Sequence, residues 1–276
     1  MSNLKLQDRV AIITGAAGGL GGESARALVS HGAKVAIVDI NGEAANTFAA
    51  KINDAGGNAL AIECDVSKES DVKSMAEQVV AHYGRIDILH NNAAILSTEQ
   101  RSKDLDIINM DVDAWDRAMA VNLRGAMLCS KYAIPEMLKL KRGSVICSTS
   151  GFGVQGDMTL SAYAASKAAL IILCKSIASQ YGKQGVRANA IQIGLAPAEN
   201  AHSTMSPELL GIIEDNHLTP TLGTPGQIAD VVAFLASDES GFVTGSTLVA
   251  DGGFSAHAPS LVEVRKLFAA SNKKSM

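Results

Sequence analysis

Short apolar runs rich in β-branched residues alternate with longer segments of helical pattern along most of the chain. The short runs predict seven strands, at residues 9–14, 34–39, 58–64, 86–90, 143–150, 186–193 and 246–249. The longer segments predict helices at 23–31, 43–55, 69–83, 112–140, 161–180 and 225–236. Strands that alternate with helices are typical of an α/β fold. The pattern therefore predicts a doubly wound parallel sheet of about seven strands with helices on both faces, of the Rossmann type.

Three stretches depart from this alternation. Residues 97–111 are polar and irregular, which indicates a loop. Residues 195–221 mix apolar residues with prolines, and we expect one or two short helices on a loop or lid that binds the substrate. Residues 254–276 form a C-terminal tail. Because no repeat or linker interrupts the chain, residues 1–276 are expected to form a single domain that binds a dinucleotide and carries out catalysis.

Charge and composition exclude several classes of partner. The net charge is −4 and there is no basic block, so we expect no nucleic acid. We expect no membrane either, because no apolar run reaches the length of a span. The four cysteines have no CxxC pair and predict buried thiols in a cytoplasmic protein. The six histidines lack the spacing of ligands, so no metal site is predicted.

A glycine cluster follows the first predicted strand and precedes the first predicted helix. The sequence is Thr-Gly-Ala-Ala-Gly-Gly-Leu-Gly, from Thr14 to Gly21. Glycines allow a tight turn and close approach of the backbone, and a phosphate group can then lie at the N-terminus of the helix. The strand, turn and helix together predict a site for a dinucleotide.

Asp39 ends the second predicted strand, about 20 residues beyond the glycine cluster. A carboxylate there is placed to bind the adenosine ribose hydroxyls and would repel a 2′-phosphate. No basic residue stands at Ala16, Ala17, Ile40 or Asn41 to bind that phosphate. Asp39 thus favours NAD over NADP, although an aspartate here can also cap a turn.

Tyr163 and Lys167 lie four residues apart in the predicted helix 161–180, among small and apolar residues. At this spacing the phenol and the ammonium lie on one face, one turn apart. A nearby ammonium lowers the pKa of a phenol, so the pair predicts a group that transfers protons near neutral pH. Such a pair also occurs by chance. Asn122, inside the predicted helix 112–140, is either a satisfied polar group of the core or a functional one.

Taken together, these motifs resemble the short-chain dehydrogenase/reductase family, from about Leu6 to Phe254. The glycine cluster is similar to the TGxxxGxG turn of that family, and the Asn-Asn-Ala-Ala sequence ending at Ala94 is similar to its NNAG. Asn122, Ser150, Tyr163 and Lys167 match its catalytic tetrad. The resemblance implies a set of cofactor-binding residues: Gly15, Gly19, Leu20, Gly21, Asp39, Asp65, Val66, Asn91, Asn92, Ala93, Tyr163, Lys167 and Gly194.

The chain departs from the family pattern after the sixth strand. Ile193 and Gly194 stand where the family usually has Pro-Gly, and Ala198 stands where it usually has threonine. A backbone contact to the nicotinamide amide needs no side chain and can survive this change. A hydroxyl contact from residue 198 cannot form.

The resemblance implies an NAD-dependent oxidoreductase that interconverts a secondary alcohol and its ketone. Tyr163 would be the acid/base, and Lys167 would lower its pKa and hold the nicotinamide ribose. Ser150 would bind the substrate oxygen, and Asn122 would keep a water near Lys167. The alternatives are an NADP-dependent carbonyl reductase and a non-catalytic nucleotide-binding protein on the same fold.

The loops near the tetrad suggest a bulky, mainly apolar substrate that is cyclic or aromatic. They contain no Arg or Lys within 152–160 or 195–221, so a carboxylate or phosphate would lack a partner there. The apolar residues behind this expectation can also simply pack the loops: Phe152, Val154, Met158, Leu160, Met205, Leu209, Leu210, Ile212 and Ile213. The family resemblance further suggests a homotetramer, packed through the helices at 112–140 and 161–180, with the tail on a neighbouring subunit.

Overall fold

The computed structural model describes residues 5–197 and 205–272. In these residues seven strands form one parallel sheet, in the order β3-β2-β1-β4-β5-β6-β7. The strands are β1 (Val10–Thr14), β2 (Lys34–Asp39), β3 (Ala59–Glu63), β4 (Ile88–Asn91), β5 (Gly143–Ser150), β6 (Val186–Ile193) and β7 (Thr247–Ala250). The predicted doubly wound parallel fold is confirmed. Every residue of β1 is buried, as expected for a central strand covered on both faces.

Helices cover both faces of this sheet. They are α1 (Gly19–Ser30), α2 (Gly42–Asp54), α3 (Glu69–Tyr83), α4 (Thr98–Lys103), α5 (Val112–Ala118), α6 (Gly125–Lys139), α7 (Ser161–Tyr181), α8 (Pro207–Asp215), α9 (Pro225–Ala236) and α10 (Leu261–Asn272). Helices α1, α2 and α9 bury one face, and α3, α6 and α7 bury the other. Full burial of each Val, Ile or Leu side chain in these two cores contributes roughly 1.5–3 kcal/mol.

The strand order reverses at β1. Strand β2 lies on one side of β1 and β4 on the other, with Ile13 opposite both Ile37 and His90. In an open parallel sheet the connections diverge at such a point and leave a crevice at the carboxyl ends of the strands. The glycine cluster, Asp39 and Ser150 all lie at that edge.

Three elements differ from the sequence prediction. The predicted helix 112–140 is divided by a π-helical segment, Met119–Arg124, which includes Asn122. The predicted loop 97–111 contains helix α4, because Ser97 caps it by accepting a hydrogen bond from the Gln100 N–H. The C-terminal tail contains helix α10, and Arg265 and Lys266 bind Asp215 at the end of α8. The tail therefore packs against its own chain.

By length and composition, the segment Ser161–Gln184 is long and apolar enough to cross a membrane, in contrast to the prediction that no run reaches that length. Core helices of soluble proteins share these properties. Here the segment comprises α7, which packs on β5 and β6.

Candidate active site

A cavity of about 600 Å³ lies at the carboxyl ends of the strands. It runs from the ends of β2 and β3 to the first turn of α7, so it joins the predicted nucleotide site to the predicted catalytic residues. Most of the predicted site residues line it: Gly15, Leu20, Asp39, Asp65, Val66, Asn92, Ala93, Ser150, Tyr163, Lys167 and Gly194. Gly19 lines a neighbouring cavity.

The glycine turn is closely packed on one side and open on the other. A Cβ atom on Gly21 would lie 2.2 Å from the Gly15 carbonyl oxygen, so only glycine fits there. Gly19 has a φ of +54°, and nothing lies within 4 Å of the position of its Cβ. Helix α1 begins here with no side-chain cap and no acid in its first turn. Its free N–H groups fit the phosphates of a dinucleotide.

Asn92 and Thr14 hold this turn in place. The backbone N–H groups of Asn92 and Ala93 both donate to the Thr14 hydroxyl oxygen at 3.1 Å. The Asn92 amide donates in return to the carbonyl oxygens of Thr14 and Gly15, each at 3.1 Å. The end of β4 is thereby fastened to the glycine turn. Asn92 acts here as a support for the turn.

Asp39 lies in the cavity wall and is fixed by two backbone N–H groups. Its carboxylate accepts hydrogen bonds from Ala17 and from Asn41, each at 3.1 Å. The aspartate therefore does cap the turn, as the alternative reading allowed, and it also faces the cavity. Among the residues that line the cavity near it are Ile40, Asp65 and Val66. An anionic group brought beside Asp39 would meet a carboxylate.

Ser150, Tyr163 and Lys167 meet at the other end of the cavity. The Ser150 hydroxyl lies close enough to the Tyr163 phenol to lower the pKa of that phenol, and it accepts a hydrogen bond from the Phe152 N–H at 3.3 Å. The Lys167 ammonium lies 5.5 Å from the centroid of the Tyr163 ring and donates to the Ser148 carbonyl oxygen at 2.7 Å. Strand β5 supplies the serine and helix α7 supplies the other two, as the sequence predicted.

The expectation that Lys167 lowers the pKa of Tyr163 is wrong for this structure. Burial raises the pKa of the Tyr163 phenol, while the Ser150 hydrogen bond and the charge of Arg101 act in the opposite direction. Lys167 is itself buried, and burial lowers its pKa to about 8. The Lys167 ammonium donates to the Ser148 carbonyl oxygen, and burial of the phenol is the larger effect on the pKa of Tyr163.

Asn122 is buried behind this group and does not line the cavity. Its side-chain oxygen accepts from the Ile95 N–H at 2.9 Å, and its amide donates to the Ser166 hydroxyl at 3.0 Å. Ser166 in turn donates to the Tyr163 carbonyl oxygen at 2.7 Å. Asn122 thus connects the segment after β4 to the first turns of α7. Its expected role in holding a water stays a prediction.

Asn91 is also turned away from the cavity. Its amide reaches Ser130 and Cys147 in the core between the sheet and α6, so its side chain lies apart from the predicted cofactor contacts. Gly194 does line the cavity, and a Cβ there would lie 2.6 Å from the Cα of Asp251. The substituted position Ala198 lies outside the described residues.

The sequence reading missed two residues of the α4 region, Asp104 and Arg101. Asp104 is buried and accepts hydrogen bonds from the backbone N–H groups of Ala162 and Tyr163. Arg101 lies one helical turn before Asp104 and one turn after Ser97, which lines the cavity. Within residues 5–197 and 205–272 its guanidinium has no hydrogen-bond or ion-pair partner, although its charge acts on Tyr163. The capping sequence from Ser97 to Gln100 is the signal that could have located this helix.

The predicted substrate loop borders a second cavity, of about 870 Å³, between the start of α1 and residues 217–226. Pro197, Glu214, His217 and Thr221 line it. Of the apolar residues proposed for the substrate pocket, Phe152 packs edge-on against Tyr163, with ring centroids 6.4 Å apart. Several others are exposed to solvent and line neither cavity: Val154, Met158, Leu209 and Ile212. In the part of the chain that the structure describes, no group of three or more His, Cys, Asp or Glu is placed to hold a metal ion.

Comparison with known proteins identifies the family. A family model described as enoyl-(acyl carrier protein) reductase matches residues 15–255. A 7α-hydroxysteroid dehydrogenase of Bacteroides fragilis is 35% identical over 93% of this chain and 98% of its own length. A solved structure of a 7α-hydroxysteroid dehydrogenase with NADH and 7-oxo glycochenodeoxycholic acid has a TM-score of 0.84 and 31% identity, over 91% of this chain and 96% of that one. A gluconate 5-dehydrogenase from Burkholderia cenocepacia, solved with NADP and tartrate, has a TM-score of 0.86 and 29% identity, over 93% and 98% of the two chains.

The chain belongs to the short-chain dehydrogenase/reductase family. It is an oxidoreductase of that family, whose members bind a nicotinamide dinucleotide. The open helix start at the glycine turn and the carboxylate of Asp39 fit such a dinucleotide.

Proposed function

We propose that this protein is an NAD-dependent oxidoreductase that interconverts a secondary alcohol and its ketone. The observation that carries the proposal is the meeting of Ser150, Tyr163 and Lys167 at one end of a cavity. Asp39 and the glycine turn lie toward the other end. A protein that only binds nucleotides has no need of a buried lysine beside a phenol.

The mechanism follows from what these side chains can do. Tyr163 accepts the proton of the alcohol hydroxyl during oxidation and returns it during reduction. Ser150 donates a hydrogen bond to the substrate oxygen and stabilises negative charge on it. The bound nicotinamide supplies the hydride chemistry. Lys167 keeps a positive charge beneath the phenol and would hold the nicotinamide ribose.

Asp39 supports NAD as the cofactor. Its carboxylate is fixed at the cavity wall by Ala17 and Asn41, so it would meet a 2′-phosphate at close range. Both NADH and NADP occur in the structures of relatives, which makes the choice specific to each chain. The carbonyl reductase that uses NADP is therefore the weaker alternative.

For the substrate we propose a bulky, mainly apolar alcohol or ketone that is cyclic or aromatic. Phe152, which packs edge-on against Tyr163, supports this choice. A steroid dehydrogenase among the relatives is consistent with a large ring system.

Arg101 favours a second candidate, a ring alcohol that also carries a carboxylate. The residue lies between the cavity-lining Ser97 and the Asp104 that binds Tyr163, and its guanidinium has no partner among the described residues. A guanidinium forms strong paired hydrogen bonds with a carboxylate. Arg101 lies outside the two loops, 152–160 and 195–221, that contain no Arg or Lys.

We further propose that the chain works in the cytoplasm as a homotetramer. Its four cysteines are buried and free, which suits a reducing compartment.

Tyr163→Phe tests the proposed function. Loss of the phenol should reduce turnover by about 10²-fold or more and leave cofactor affinity nearly intact. The measurements are absorbance of the reduced nicotinamide with a panel of secondary alcohols, and titration of cofactor binding. Tyr181→Phe, at the other end of α7, is the control. Turnover within a few-fold of the wild type in Tyr163→Phe would exclude this acid/base.

A further inference from the structure

Helix α7 begins without a cap of its own. Leu160 occupies the N-cap position with a φ of 60°, and its side chain caps nothing. Tyr163 is the third residue of the helix, so its backbone N–H is one of those that find no acceptor within the helix. The catalytic side chain therefore belongs to the turn of the helix that is most prone to fray.

Asp104, at the end of α4, supplies the missing acceptors from 59 positions earlier in the sequence. One carboxylate oxygen accepts from the Ala162 N–H at 2.9 Å and the other from the Tyr163 N–H at 3.0 Å. The Asp104 carbonyl oxygen accepts from the Leu160 N–H at 2.9 Å. The Ser161 hydroxyl donates to the Leu105 carbonyl oxygen at 3.2 Å. The side chain of Asp104 is only 1% exposed, so water does not compete for these contacts.

We propose that Asp104 is a positioning residue for catalysis, which holds Tyr163 in place against Ser150 by capping α7 from another helix. The proposal rests on the role proposed for Tyr163. Asp104 would thus contribute to catalysis although it lies outside the catalytic motifs of the chain.

The physical basis is the fit between one carboxylate and the two N–H groups at a helix start. The negative charge also lies at the positive end of the α7 dipole. If Asp104 is lost, Ala162 and Tyr163 lose their acceptors and the first turn loosens. The phenol then moves relative to Ser150, and a misplacement of about 1 Å reduces turnover about 10²-fold. The same segment begins with Ile95, Leu96 and Ser97 in the cavity wall, so substrate contacts and tyrosine placement share one element.

The experiment compares Asp104→Ala and Asp104→Asn with Asp111→Ala. Asp111 is the matched control, because it caps α5 in the same segment by accepting from the Ala114 N–H at 2.9 Å. Asparagine has the shape of aspartate, so Asp104→Asn still tests the proposal if Asp104→Ala does not fold. Its single carbonyl oxygen can accept from only one of the two N–H groups. Three quantities are measured: kcat with its pH profile, the cofactor Kd, and amide hydrogen exchange at Ala162 and Tyr163.

We expect kcat to fall about 10²-fold in Asp104→Ala and less in Asp104→Asn, with the cofactor Kd within two-fold of the wild type. The pKa of the group that must be deprotonated for oxidation should rise, because the Ser150 hydrogen bond that lowers the pKa of Tyr163 is weakened. Exchange should accelerate at Ala162 and Tyr163 only in the Asp104 variants.

Two results would overturn the proposal. One is a kcat within two-fold of the wild type in both Asp104 variants. The other is an equal loss of kcat in Asp111→Ala with an unchanged pH profile, which would indicate general destabilisation. A wild-type protein without turnover on any alcohol would instead reject the proposed function, and the exchange measurement would still report on the cap.

Discussion

The ammonium of Lys167 lies 5.5 Å from the centroid of the Tyr163 ring, and both side chains are held away from bulk water. Burial disfavours the charged form of each group, so it raises the pKa of the phenol and lowers that of the amine to about 8. Because the two ordinary values are nearly equal, at 10.0 for the phenol and 10.5 for the amine, these changes move the two pKa values apart and reverse their order. As the pH rises, the ammonium therefore loses its proton before the phenol does.

The first prediction concerns the loss of folding stability that results from burying the Lys167 ammonium. In the folded chain its pKa is about 8, against 10.5 in the unfolded chain, so between these values the unfolded state binds more protons. Stability therefore rises with pH from about 8 to about 10.5, and the burial penalty is fully present below pH 8. Lys167→Met should be more stable than the wild type at pH 7. The gain in the free energy of unfolding is at most about 3 kcal/mol. Loss of the hydrogen bond from Lys167 to Ser148 reduces this gain.

The measurement is the free energy of unfolding in urea between pH 7 and pH 10.5. The advantage of Lys167→Met should shrink as the pH rises through this range. Lys175→Met, on the exposed side of the same helix, should show no such trend. A wild-type protein more stable than Lys167→Met at pH 7 would contradict the burial argument.

The second prediction concerns the choice of cofactor. Asp39→Ala removes the carboxylate that would repel a 2′-phosphate, so the ratio of kcat/KM for NAD to that for NADP should fall by about ten-fold or more. Part of the loss should come from weaker NAD binding, since the fixed turn at Ala17 and Asn41 also loses its acceptor. Glu43→Gln, in the first turn of α2, is the control acid. A wild-type enzyme that prefers NADP would refute the assignment outright.

Much of the fold was predictable because local pattern and tertiary structure agree. Strands β2, β5 and β6 have the boundaries that their apolar runs predict, and the helix from Pro225 to Ala236 begins at the expected proline. That helix also has a capping box between Thr224 and Gln227, a purely local signal. The motifs at the strand ends converge because carboxyl ends of parallel strands share one edge.

The rest depends on contacts between distant residues. The link from Asp104 to Tyr163 joins two elements that are unrelated in sequence, and no periodicity predicts it. The π-helical segment around Asn122 has no compositional signal either. The spacing of Tyr163 and Lys167 predicts a lowered pKa for the phenol, because it shows only that an ammonium is near. In the structure burial raises that pKa, and the burial of a side chain depends on contacts that spacing does not show.

The third prediction tests the carboxylate-bearing substrate. If Arg101 binds a substrate carboxylate, Arg101→Gln should raise KM for a ring hydroxy acid about ten-fold or more and leave the matching ring alcohol almost unchanged. Lys103→Gln is the control, because Lys103 is on the same helix and is paired with Glu99 at 3.1 Å. Equal effects on the charged and neutral substrates would remove Arg101 from recognition and leave the apolar substrate as the proposal.

The last prediction concerns the assembly. Only 33% of the most apolar stretch of the α7 segment is buried within the chain, and Ile172 on this helix is 60% exposed. Met127 on α6 is also exposed. We take these exposed apolar side chains as part of a contact surface between subunits. We therefore expect α6 and α7 to pack against a second copy of the chain, and Ile172→Glu to weaken the tetramer by placing a charge in that contact.

Light scattering at micromolar concentration should give the mass of a tetramer for the wild type and a smaller particle for the variant. Ile108→Glu, which changes an exposed residue of the α4–α5 segment, should keep the wild-type mass. A monomeric wild type, or a variant that keeps the full mass, would rule out this interface.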